Sequence, residues 1–146
     1  MYEIFLIQLR ISLGEILHQC LENSVSQYPK LEGRFLQVSG IQFAFDPSKP
    51  SGARVDHRLV RVNNQPLDLK REYKVATKIY VKNGRDGYTC IKECPLLIDN
   101  DVAPRLLPVV ENYFQQHKSI KKPSPNEPKR IIKIENEQVK FNVILF

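Results

Sequence analysis

The chain has 146 residues, 42% hydrophobic and 26% charged, the proportions of an ordinary globular protein long enough for one domain with its own core. No apolar run reaches the about 18 residues that a membrane-crossing helix needs, and Met1–Arg10 lacks the basic start and small-residue cleavage site of a secretory signal. The net charge is +6, with much of the excess in Lys118, Lys121, Lys122, Lys129, Arg130 and Lys133. No aromatic residues interleave with these cations, so they read as a solvated basic tail and not as a nucleic-acid site. A positive potential would still draw in a phosphorylated substrate.

Ile4 to Ile11 is apolar and β-branched enough for a strand. A helix should follow from Ser12 or Leu13 to Ser26, because Leu13, Ile16, Leu17, Cys20, Leu21 and Val25 recur at helical spacing. Ser12 with Glu15 has the form of a capping box. His18 falls on the polar side. Tyr28-Pro29 ends the helix, since the residue before proline avoids the α region. Phe35 to Asp46 reads as a strand broken at Ser39-Gly40, and its second half alternates, with Ile41, Phe43 and Phe45 on one face. Asp46 to Gly52 has the composition of a turn.

Val55 to Val62 alternates poorly and is expected to be an edge strand. Asn63-Asn64-Gln65-Pro66 is a turn, and Tyr73 to Val81 a further strand, the order implying an antiparallel pair. A helix should then run from about Asp99–Asp101 to His117, with Leu106, Leu107, Val110, Tyr113 and Phe114 inward. Pro108 must either kink it or mark a start near Leu107. Residues 118–129 hold three prolines, at 123, 125 and 128, and resemble a linker. Arg130–Ile134 and Val139–Phe146 are candidate short strands. The expected domain layout is residues 1–120 as the folded domain and 121–146 as a basic, proline-rich linker with a strand or tail. The fold class is α+β: a mixed, largely antiparallel sheet with two or more helices packed on it.

Cys20 lies on the apolar helix face and reads as core. Cys90 and Cys94 form a C-x3-C pair without further ligands at zinc spacing, and a bridge between them stays open. The stretch most suggestive of chemistry is Lys78–Tyr88. It leaves an apolar run, contains Gly84 and Gly87, and sets the carboxylate of Asp86 between the rings of Tyr80 and Tyr88. An aromatic face stacks a base and a carboxylate accepts from ribose hydroxyls. The same residues also fit a tight turn whose Asp bonds its own backbone and whose tyrosines simply pack.

This stretch resembles the Gly-Gly-Asp-Gly-aromatic segment of the 5'-nucleotidase C-terminal domain. A second run, Leu21 to Ile41 continuing through Phe43–Pro50 and Gly52–Val55, is similar to the same family in order and spacing, so that the likeness spans roughly residues 4 to 117. The resemblance implies a substrate-recognition domain. Tyr80 stands at the position of a base-stacking ring, where Phe is usual, Asp86 at that of a ribose-binding aspartate, and Asn83 and Gly84 in the turn lining the pocket. Arg85 departs from the usual Gly and puts a cation beside Asp86. It is either a competitor for the carboxylate or a solvated turn residue.

Family members hydrolyse phosphate esters with two metal ions, zinc, manganese or similar, held by an N-terminal metallophosphoesterase domain. The three histidines here, His18, His57 and His117, stand in no such ligand motif. The expectations are therefore no metal site and no catalytic residue in this chain, and a second base-stacking ring lying upstream of it. The expected partners are a nucleotide or other phosphorylated small molecule and the N-terminal domain. The alternative is a non-catalytic interaction or dimerisation module derived from that domain.

Overall fold

The structure, a computed structural model, describes residues 6–11, 13–98, 102–117, 119 and 127–134. In chain order the elements are β1 (Leu6–Ile11), α1 (Gly14–Val25), β2 (Ile41–Phe45), β3 (Arg61–Val62), β4 (Gln65–Pro66), β5 (Tyr73–Lys78), α2 (Ile79–Lys82), α3 (Leu106–Gln116) and β6 (Ile131–Lys133). The chain divides into two compact units, Met1–Cys20 with Asp68–Pro128 and Leu21–Leu67 with Lys129–Phe146. The α+β class expected from the sequence holds.

In the first unit β1 and β5 pair antiparallel, from Leu6 opposite Lys78 to Ile11 opposite Tyr73. Along β5 Tyr73, Val75 and Thr77 are half-buried while Lys74, Ala76 and Lys78 are exposed, the period of two that a sheet with one covered face imposes. The sequence pairs this strand with the segment just before it, but its partner is β1, far back in the chain. Helix α1 starts against residue 68: a Cβ on Gly14 would sit 2.1 Å from the carbonyl oxygen of Asp68, so only glycine fits. The Glu15 N–H donates to the Leu69 carbonyl at 3.0 Å, satisfying one of the helix's unpaired N-terminal donors. The proposed cap at Ser12 lies outside the described residues.

The second unit carries a four-stranded sheet in the order β4-β3-β2-β6. β3 and β4 form a hairpin whose two connecting residues, Asn63 and Asn64, have φ of 49° and 64°. Asparagine tolerates this left-handed conformation, and the resulting turn matches the twist of the strands. β2 pairs antiparallel with β3 and parallel with β6, Phe43 facing Ile131 and Phe45 facing Lys133. β6 thus forms within the Arg130–Ile134 candidate. The Val139–Phe146 candidate lies outside the described residues. Phe43, Ala44 and Phe45 are all buried, as are Val55 and Val60. Phe45 meets Tyr28 and Phe35 edge-on, with centroids 5.1 and 6.2 Å apart.

Two sequence expectations fail in this unit. Residues 35–40 form bends and irregular chain instead of the first half of a strand. Val55–Val62 is not one strand: Val55 makes an isolated bridge to Phe45, and His57–Leu59 coil into a 3-10 turn. The cause is local. The Asp56 carboxylate accepts the Arg58 N–H at 2.9 Å and its guanidinium at 2.6 Å, offering the backbone an alternative to a ladder.

The end of α1 is held by two residues that no sequence pattern singled out. The buried carboxylate of Glu22 accepts the backbone N–H of Arg54 at 3.1 Å and of Val55 at 2.6 Å. The Arg54 Nη1 donates to the carbonyls of Val25, Ser26 and Tyr28 at 2.6, 3.2 and 3.0 Å, and its Nε to that of Lys49 at 3.0 Å. The first three carbonyls lie at or just past the helix end, where intrahelical donors run out.

Candidate functional site

The apolar run predicts a strand through Val81, but β5 ends at Lys78 and the chain coils into the single turn α2. Tyr80 is therefore on a helical turn and not on a strand. The Asn83 N–H closes that turn on the Ile79 carbonyl at 3.0 Å, and the Gly84 N–H reaches the Val81 carbonyl at 2.9 Å. Gly84 then takes φ 77°, where a Cβ would come within 2.6 Å of the Lys92 side chain. The backbone N–H of Tyr88 returns to the Arg85 carbonyl at 3.2 Å, and between them Asp86 stands at φ 53°. Asp is among the few residues other than glycine that adopt this conformation readily. The Lys82 ammonium donates to the Lys92 carbonyl, tying the start of this turn to the segment beyond it.

These bends bring two of the five sequence-predicted residues into direct contact. The Tyr80 hydroxyl donates to Asp86 Oδ1 at 3.0 Å. Tyr80 is 50% exposed and Asp86 half-buried, so ring and carboxylate share one solvent-facing side of the turn. The carboxylate's hydrogen bond and negative charge push the Tyr80 phenol above its ordinary value, because a phenolate would lose the bond and face a like charge. Asn83 and Arg85 are exposed and Gly84 half-buried in the same turn. Tyr88, the other ring flanking Asp86 in sequence, is 1% exposed and belongs to the interior, which leaves Tyr80 as the accessible ring of the turn.

Among the described residues no group of three His, Cys, Asp or Glu is placed to hold a metal ion. No helix among them is long and apolar enough to cross a membrane.

The family model for the 5'-nucleotidase C-terminal domain matches residues 4–93, a span that includes the whole Tyr80–Asp86 turn. The chain belongs to this family. A 5'-nucleotidase of Diplobatis ommata is 34% identical over 131 residues, covering 84% of this chain and 22% of its own length. A 5'-nucleotidase of Homo sapiens is 35% identical over 121 residues, covering 79% and 20%. The crystal structure of a 5'-nucleotidase precursor from Thermus thermophilus superposes with a TM-score of 0.78 at 32% identity, over 91% of this chain and 26% of that one. The chain spans about a fifth of the curated relatives it matches.

Proposed function

We propose that this chain is the nucleotide-recognition part of a 5'-nucleotidase-like phosphoric ester hydrolase. In this reading Tyr80 presents a flat face to the base and Asp86 accepts from the sugar hydroxyls, with Asn83, Gly84 and Arg85 lining the same turn. The observation that carries it is the 3.0 Å contact between a half-exposed ring and a carboxylate on one side of the turn. Placed on separate faces, the two groups would not serve one nucleoside. The phenol takes one lone-pair site of Oδ1, and a carboxylate has about four. The bond also fixes the ring's tilt, which a phenylalanine at this position would leave to packing.

Bond breaking, on this reading, belongs to the N-terminal metallophosphoesterase domain and its divalent metal pair, which would activate water and clamp the phosphoryl oxygens. Two experiments test the proposal. Titration of AMP followed by NMR should move the amides of residues 79–88, and Tyr80→Ala and Asp86→Asn should weaken the binding. An unchanged affinity in both variants would reject the pocket. Incubation of the chain with AMP and manganese or zinc should give no chelator-sensitive turnover. Clear turnover would reject the division of labour.

A second reading, a module that chiefly meets another polypeptide, rests on α3. Its stripe was expected to face inward, but Leu107 is 65%, Tyr113 54% and Phe114 51% exposed. Helical spacing identifies an apolar stripe without saying what covers it. In the first reading the catalytic domain covers it. A chain that dimerises through α3 and ignores AMP would favour the second.

A further inference from the structure

All three cysteines of the chain fall in the first unit, and none of them is in a disulfide. Cys20 is on the buried face of α1. Cys90 is in the 3-10 turn Thr89–Ile91, four positions after Asp86, and is half-buried. Their sulfurs lie 3.5 Å apart although the residues are 70 positions apart in sequence. Cys94 is also buried. The sequence offered the C-x3-C pair as the open bridge. The geometry favours a different one.

We propose that Cys20 and Cys90 are a modification site, a dithiol that a small-molecule disulfide converts into an intramolecular bridge between α1 and the segment that follows Asp86. The two thiols have different roles, set by their surroundings. The two sulfurs are within hydrogen-bond distance of each other, and that bond pulls Cys90 down to about 7, favouring a thiolate there. The same bond, together with burial, pushes Cys20 well above its ordinary value. A half-buried sulfur at Cys90 is open to a small oxidant, whereas Cys20 is only 4% exposed.

The Cys90 thiolate therefore attacks the external disulfide. One S–S bond breaks, a mixed disulfide forms at Cys90, and one small thiolate leaves. Cys20 then loses its proton to that leaving thiolate and attacks the Cys90 sulfur. The internal bridge forms and the second small thiolate departs, taking a proton from water. The protein gives up two electrons and two protons, and the external disulfide becomes two thiols. The bridge would fasten the chain beyond the Tyr80–Asp86 turn, since successive backbone bonds, Tyr88 to Arg85, Ile91 to Tyr88 and Cys94 to Ile91, connect it to that turn.

Trypsin separates the three cysteines, leaving Cys20 in Ile11–Lys30, Cys90 in Asp86–Lys92 and Cys94 in Glu93–Arg105. The test is to equilibrate the full chain with graded ratios of glutathione disulfide to glutathione, quench with N-ethylmaleimide and map it without reduction. The expected product is Ile11–Lys30 joined to Asp86–Lys92, with Cys94 alkylated and the intact chain lighter by about 2 Da before alkylation is counted. Cys94→Ser should keep that link, and Cys20→Ser should stop at a glutathione adduct on Cys90. A link from Cys94 to either partner, a lasting adduct on Cys90 in the unaltered chain, or three alkylated thiols at every ratio would overturn the assignment. The readout is a covalent mass, so it does not depend on AMP binding and fails or succeeds separately from the function proposed above.

Discussion

Two carboxylates divide the work of the molecule. Glu22 is buried and accepts two backbone N–H groups, those of Arg54 and Val55. Asp86 is at the surface of its turn and accepts the hydroxyl of a half-exposed tyrosine. The donor and the burial differ, and so does what each carboxylate can do. A group shut away from water with backbone donors holds the fold, and replacing it leaves those donors without a partner. A group near water that meets a side-chain hydroxyl can take on or exchange donors at small cost, which is what a ligand site requires.

The comparison breaks first at Glu22. Glu22→Ala removes the acceptor for two backbone donors, and the expected loss is about 3 kcal/mol or more in chemical denaturation. A loss below about 1 kcal/mol would mean that water replaces the carboxylate and that Glu22 is not the structural partner in the pair. Next is the ring. Tyr80→Ala should weaken AMP binding by about 5- to 150-fold, the range of one aromatic-to-base stack, with thermal stability little changed because the ring is half-exposed.

Smaller effects sharpen the contrast. Tyr80→Phe keeps the π-face and removes only the phenol's bond to Asp86 Oδ1, so affinity should stay within about 5-fold of the parent, since an exposed hydrogen bond contributes about 1 kcal/mol or less. The phenol itself reports the contact. In ultraviolet titration Tyr80 should ionise above its ordinary value, and Asp86→Asn should bring it down, because the charge and part of the bond are removed. An unshifted titration in the parent would dissolve the pair.

The smallest effect belongs to Asp56, a half-exposed carboxylate with a charged partner. The Arg58 guanidinium draws it down to about 2, against roughly 3.9 for an unfolded aspartate. A depressed folded value means the contribution is complete above pH about 4 and disappears as the pH falls towards 2. Screening by solvent keeps it under about 1 kcal/mol, which Arg58→Ala should match in denaturation at pH 7.

Much of this was legible from the residues. The apolar stripe from Leu13 to Val25 located α1 to within two residues, because a helix buried along one side must repeat that way. Of the turn expected at Asn63-Asn64-Gln65-Pro66, the first two residues make it, since few others accept those angles, while Gln65–Pro66 form β4. What failed was decided by partners that local pattern does not encode. Val55–Val62 lost its strand to the side chain of Asp56. Tyr73–Val81 lost its last residues to a helical turn whose bonds run to Asn83 and Gly84. The α3 stripe was read correctly as apolar and wrongly as covered. Tyr80 and Asp86 were named through a family likeness, but spacing alone gave no reason for them to touch. That needed α2 and the left-handed residues at 84 and 86. Glu22 and Arg54 fall within the runs that carry the family likeness, but no local pattern shows that their charged side chains bond backbone far along the chain.

The central claim is that the Tyr80–Asp86 turn receives a nucleotide. The most direct measurement is an NMR titration of AMP into the chain and into Asp86→Asn, a variant that keeps a residue tolerant of the left-handed backbone. The account predicts saturable shifts at residues 79–88 in the parent and a clearly weaker isotherm in the variant. Shifts confined to other segments, or identical isotherms for the two proteins, would contradict it.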